Sequence, residues 1–129
     1  MFKNIDSYNE SILSFMQKFT IAGAGGFGLI HLLMPGLLGD LLGAPENSLM
    51  LGDMFVASVF LAFAIAAVCT LGSLKSYATI AAFQGTYKGL WCLFFIVHFG
   101  MGNIDISLFN SVYFAIMATF VVGDYLALK

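Results

Sequence analysis

The stretch AAFQGTYKGLWCLFFIVHFG, residues 81–100, decides how this chain folds. It is twenty residues of mostly apolar character, yet it carries Lys88 near its middle and His98 near its end. About 20 apolar residues of helix cross the hydrocarbon core of a bilayer. A lysine at that depth cannot face lipid without a large cost, so it must face protein or a polar cavity. Gln84, Lys88, Trp91, Phe95 and His98 are spaced by four, three, four and three residues, which places them on one helical face. The helix therefore has a polar stripe, and the stripe requires other helices around it.

Composition supplies them. Of the 129 residues, 60% are hydrophobic and only 9% charged, and the mean hydropathy is +0.96. Soluble domains carry about 25% charged residues. There is too little polar surface here to wrap a water-soluble globule, and the implied solvent is lipid. Four apolar stretches have the length of a span, at 13–34, 49–71, 77–99 and 107–126. Their runs are continuous rather than alternating, which favours helices over barrel strands. The expected fold is all-α: a membrane-embedded, up-down four-helix bundle forming a single domain over residues 1–129. The leader MFKNIDSYNESILSF lacks a basic segment, so the first stretch does not read as a cleaved signal peptide.

The lysines set an expected orientation. Lys3, Lys18, Lys75 and Lys129 all fall on one side of an up-down bundle, whereas the first and third connections carry Asp40, Glu46 and Asp105. The positive-inside rule then places both termini in the cytoplasm. Pro35 stops the first helix, because the residue before a proline is pushed out of helical geometry. The segment PGLLGDLLGAP that follows is too apolar for a free loop and too short to span, which predicts an interfacial or re-entrant turn. Ala22/Gly26 and Ala24/Gly28 on the first helix, and Ser58, Ala62 and Ala66 on the second, recur every four residues. Such small faces let backbones approach closely in lipid, and the expectation is packing within the bundle. Cys69 and Cys92 differ in depth by roughly 18 Å, too far for a disulfide, and read as packing residues.

The chemistry rests on few groups. Lys88 lies about 16 Å below the outer end of its helix, close to mid-membrane. Asp53, one turn into the second helix, is the expected partner, and Asp124 near the inner end of the fourth competes with it. Asn110 and Asp124 are fourteen residues apart and share a face. Gln84, Lys88, Trp91 and Asp53 thus form the expected buried polar site. It serves either as a substrate, proton or ion site or as a structural ion pair, with snorkelling of the lysine as the bland alternative. His31 and His98 end parallel helices at matching depth, on diagonal corners of a sequential bundle. That arrangement suits a haem b held by two axial histidines, or a looser metal site with Asp40, Glu46 or Asp105. No CxxC, nucleotide loop or basic patch is present, so thiol redox, nucleotide and nucleic-acid partners are not expected. GAGGFG lies inside a spanning helix and is no dinucleotide loop.

At GLIHLLMPGLLGDLLGAP, residues 28–45, the chain resembles the small DoxX-like and BphX-like membrane proteins. The likeness lies in a glycine-bearing first helix, a proline stop, a short Leu/Gly loop and three further helices. Where those proteins often carry a basic residue early in the second helix, this chain has Gly52-Asp53. The resemblance implies a four-helix membrane fold and an accessory role, and supplies no catalytic residues. The sequence expectation is a non-catalytic subunit of a larger membrane assembly, in contact with lipid and with other subunits or copies of itself. A small solute or proton-coupled carrier around Lys88 is the alternative, and a haem-bearing electron-transfer subunit the third.

Overall fold

A computed structural model of the chain describes residues 7–34, 37 and 49–129. The described residues form four helices and no strand: α1 (Glu10–Leu33), α2 (Leu49–Cys69), α3 (Leu74–Gly100) and α4 (Leu108–Leu128). The expected turn between α1 and α2 lies outside the described residues, apart from Leu37.

Local chemistry explains the helix ends. Asn9 caps α1, its side-chain oxygen accepting from the Ile12 N–H at 3.1 Å, so the helix begins three residues before its apolar run. The chain leaves α1 at Met34, whose N–H still reaches the Ile30 carbonyl at 2.9 Å, immediately before Pro35. Ser73 and Ser107 cap α3 and α4 in the same way, through the N–H groups of Ser76 and Asn110. Gly72 and Gly102 turn the chain at φ +90° and +75°, a region that costs a residue with a Cβ.

The helices pack most extensively as α1 on α2 and α3 on α4, and α1 also touches α3 and α4. At one end, the Asn9 N–H donates to the Ala127 carbonyl at 2.8 Å, joining the start of α1 to the end of α4. Gln17 of α1 donates to the Thr70 carbonyl at 3.0 Å, just past the end of α2. Further along α1, Gly28 meets Leu61 of α2. Apolar side chains fill the space between, with Leu13, Met16, Ala81 and Phe120 in one cluster and Ala24, Phe60, Ala64 and Met117 in another.

Only some of the small faces turn inward. On α1, Ala24 and Gly28 are buried against α2, as expected, whereas Ala22 and Gly26 are exposed and their expected packing within the bundle is corrected. A Cβ on Gly28 would stand 2.8 Å from the Leu61 Cγ and 3.1 Å from its backbone nitrogen. Gly28→Ala should therefore push α1 off α2 and destabilise the bundle by about 1–3 kcal/mol, read from unfolding in mixed detergent micelles. Ser58 and Ala62, by contrast, are exposed and Ala66 is only partly covered. The expectation that they pack inside the bundle is corrected: α2 turns this face outward, because Ala57, Phe60, Ala64 and Ala67 occupy the inward one. Cys69 is exposed as well, at the end of α2 rather than in the packing, and both cysteines are free.

The exterior is strongly apolar. Phe55, Leu33, Phe83, Phe94 and Leu108 are all more than half exposed, a surface far more apolar than water tolerates in continuous patches. Leu74–Gly100 and Asn110–Leu128 are long and apolar enough to cross a membrane, and Met54–Cys69 is a shorter apolar helix.

Candidate functional site

Polar atoms gather where α1, α3 and α4 meet. Tyr77, Ala81, Gln84 and Lys88 lie on one face of α3 at spacings of four, three and four, and all are buried. That face meets Thr20 of α1 and Asp124 of α4. All five polar members of the cluster, Thr20, Tyr77, Gln84, Lys88 and Asp124, are at most 1% exposed.

Their hydrogen bonds run outward from Gln84 in two directions. The Tyr77 hydroxyl donates to the Met16 carbonyl at 3.1 Å, so in its 2.6 Å contact with Thr20 it accepts. The Thr20 oxygen in turn accepts from Gln84 Nε2 at 2.9 Å. The second Nε2 hydrogen of Gln84 goes to Asp124 Oδ2 at 3.2 Å. Buried polar groups are costly unless paired, and such a chain ties three helices in a single register. Two acceptors are left over: Gln84 Oε1 and Asp124 Oδ1 are buried with no hydrogen-bond partner.

Lys88 sits one turn beyond Gln84. Its Nζ lies 3.2 Å from the centroid of the Phe120 ring and 5.3 Å from that of Phe60. An ammonium held against aromatic faces is attracted by their negative π-clouds, by about 2 kcal/mol when desolvated. A cavity of about 10 Å³ adjoins it, lined by Phe27, Tyr113 and Met117 among others. Among the described residues, the carboxylate in electrostatic reach of Lys88 is that of Asp124. The side chain of Asp53, the partner expected from sequence, lies outside the described residues.

The rest of the expected stripe diverges from the site. Trp91 and Phe95 are half-buried and pack on α4, Trp91 with its ring centroid 5.3 Å from Tyr113 and Phe95 5.2 Å from Phe114. His98 is exposed and its Nδ1 pairs with Asn103 Nδ2 at 3.1 Å. His31 is buried, edge-on to Phe60 at 6.1 Å. The two histidines expected as haem ligands therefore occupy different surroundings, one in the core and one at the surface. Among the described residues no three His, Cys, Asp or Glu side chains gather as a metal site.

Asp124 is positioned by a glycine. A Cβ on Gly85 would stand 3.2 Å from the Asp124 Cβ and 3.6 Å from Oδ2. Gly85→Ala should displace Asp124 from Gln84 and destabilise the protein by about 1–2 kcal/mol, although alanine is the better helix former. Thr20 and Tyr77 were not singled out from sequence. The signal for Tyr77 was present, since it stands one heptad before Gln84 and extends the stripe inward. Thr20 gives no such signal within its own helix.

No protein family, curated protein or solved structure matches the chain.

Proposed function

We propose that the chain is a multi-pass integral membrane protein acting as a non-catalytic subunit, or small factor, of a larger membrane assembly. In this reading all four helices span, up-down, with both termini cytoplasmic. The opposite sense of the α1–α2 contacts supports the up-down order: Gln17 meets Thr70, whereas Gly28 meets Leu61. The DoxX-like layout of the sequence agrees with it.

One observation carries the accessory role. The face of α2 bearing Ser58, Ala62 and Ala66 is turned outward, beside an open groove shared with Thr79 and Phe83 of α3. In lipid, small residues every four positions are where helices approach one another closely. On the outside of the bundle, that face suits a helix of another subunit or of a second copy. Ala62→Phe should leave the unfolding midpoint of the isolated protein unchanged, because Ala62 touches only the exterior. The same change should abolish co-purification of its membrane partner in mild detergent. Unchanged co-purification would remove this reading.

A second reading has its own support. The charged and amide groups at the centre of the bundle, with two acceptors left open, suit a carrier of a proton or small solute around Lys88, since ionisable groups inside membranes serve such pathways.

A further inference from the structure

The two acceptors left over in the core belong to two planar groups already joined by one hydrogen bond. Gln84 Nε2 donates to Asp124 Oδ2 at 3.2 Å. Gln84 Oε1 is the other arm of that amide, and Asp124 Oδ1 the other arm of that carboxyl, and both are buried without a donor. Among the described residues the amide and hydroxyl donors around them are spent: Gln84 Nε2 on Thr20 and Asp124, Thr20 on Tyr77, and Tyr77 on the Met16 carbonyl. Lys88 holds its Nζ against the Phe120 ring.

We infer that Asp124 is a proton-binding site, holding a proton on Oδ1 that donates to Gln84 Oε1 and closes a two-bond acid–amide ring. A carboxylate accepts only, whereas a protonated carboxyl supplies one O–H donor. One proton thus satisfies both open acceptors, and an unmet buried acceptor carries a penalty that the ring removes. A metal cation fits poorly, because two oxygens are far short of the six to eight ligands a hard cation collects. The groups facing Asp124 are Tyr77, Gln84, Gly85 and Lys88 from α3. Lys88 is the cation among them. Loss of the proton opens the ring and leaves a carboxylate with Lys88 as its counter-charge, so the core has two charge arrangements differing by one proton. The site is independent of any partner docked on α2, and it stands or falls separately from the accessory role.

Infrared difference spectroscopy of the purified protein, wild type minus Asp124→Asn at neutral pH, tests this directly. The expected result is a carboxylic-acid carbonyl band in the wild type that Asp124→Asn removes. Asparagine can form the same ring, donating to Gln84 Oε1 and accepting from Nε2. The variant should therefore keep its unfolding equilibrium constant within about tenfold of the wild type. Should Asp124→Asn fail to fold, Gln84→Leu replaces it: freed from the amide, the acid band should move to higher frequency. Absence of the band, with carboxylate bands in its place, overturns the inference and leaves Asp124 ionised. A band that does not move in Gln84→Leu overturns it equally, since the proton then lies on another carboxyl.

Discussion

Phe120→Ala is expected to cost about 5 kcal/mol or more, the largest effect of any single substitution in the bundle. The ring is 1% exposed, packs 4.6 Å from Phe19 of α1, and forms the face on which the Lys88 ammonium rests. Truncating a buried phenylalanine to alanine costs about 3–5 kcal/mol through lost burial and the cavity left behind. Losing the aromatic face removes a further contribution of about 2 kcal/mol from a desolvated ammonium. Whole domains are stable by only about 5–15 kcal/mol, so this change should leave much of the protein unfolded. Phe120→Leu keeps most of the volume and isolates the second term. In a double-mutant cycle with Lys88→Met, followed by unfolding in mixed micelles, the coupling should be about 1–2 kcal/mol. Additive costs would mean that the ammonium gains nothing from the ring.

Gln84→Leu should follow closely, at about 2–5 kcal/mol. Gln84 is the joint of the polar chain: its Nε2 serves Thr20 on α1 and Asp124 on α4 together. Leucine fills the space but leaves the Asp124 carboxyl with no donor from α3, and each buried polar group left unpaired costs about 1–3 kcal/mol. Replacing both partners by apolar groups removes the unmet acceptor along with the missing donor. Gln84→Leu combined with Asp124→Leu should thus be more stable than Gln84→Leu alone, as measured by the same unfolding assay. A double variant less stable than the single would show that the network stabilises through more than mutual satisfaction.

Much of this architecture was legible because a chain so poor in charge has few ways to fold. The scarcity of charge and the four apolar runs pointed to four helices, and the Pro35 stop marks an end the structure keeps. The stripe on α3 was readable from spacing alone, and its inner half, Gln84 and Lys88, is buried as the spacing required. Its outer half is not: Trp91 and Phe95 are half-buried against α4, and His98 is exposed. Spacing gives direction around a helix but not depth of cover. Periodicity also cannot say which of two small faces turns inward. Ala24 and Gly28 are buried while Ser58 and Ala62 are exposed, a choice made by the bulkier Phe60 on α2. The link from Gln84 to Thr20 crosses 64 residues of chain, and no pattern within either helix carries it.

In the proposed arrangement all four helices span a membrane, with Lys88 and Asp124 turned inward and both termini on the cytoplasmic side. Topology mapping with reporter fusions tests it most directly. Fusions after Lys75 and Lys129 should remain cytoplasmic, and a fusion at Asn103 should be translocated. A translocated reporter at Lys129, or a cytoplasmic one at Asn103, would contradict the four-span arrangement.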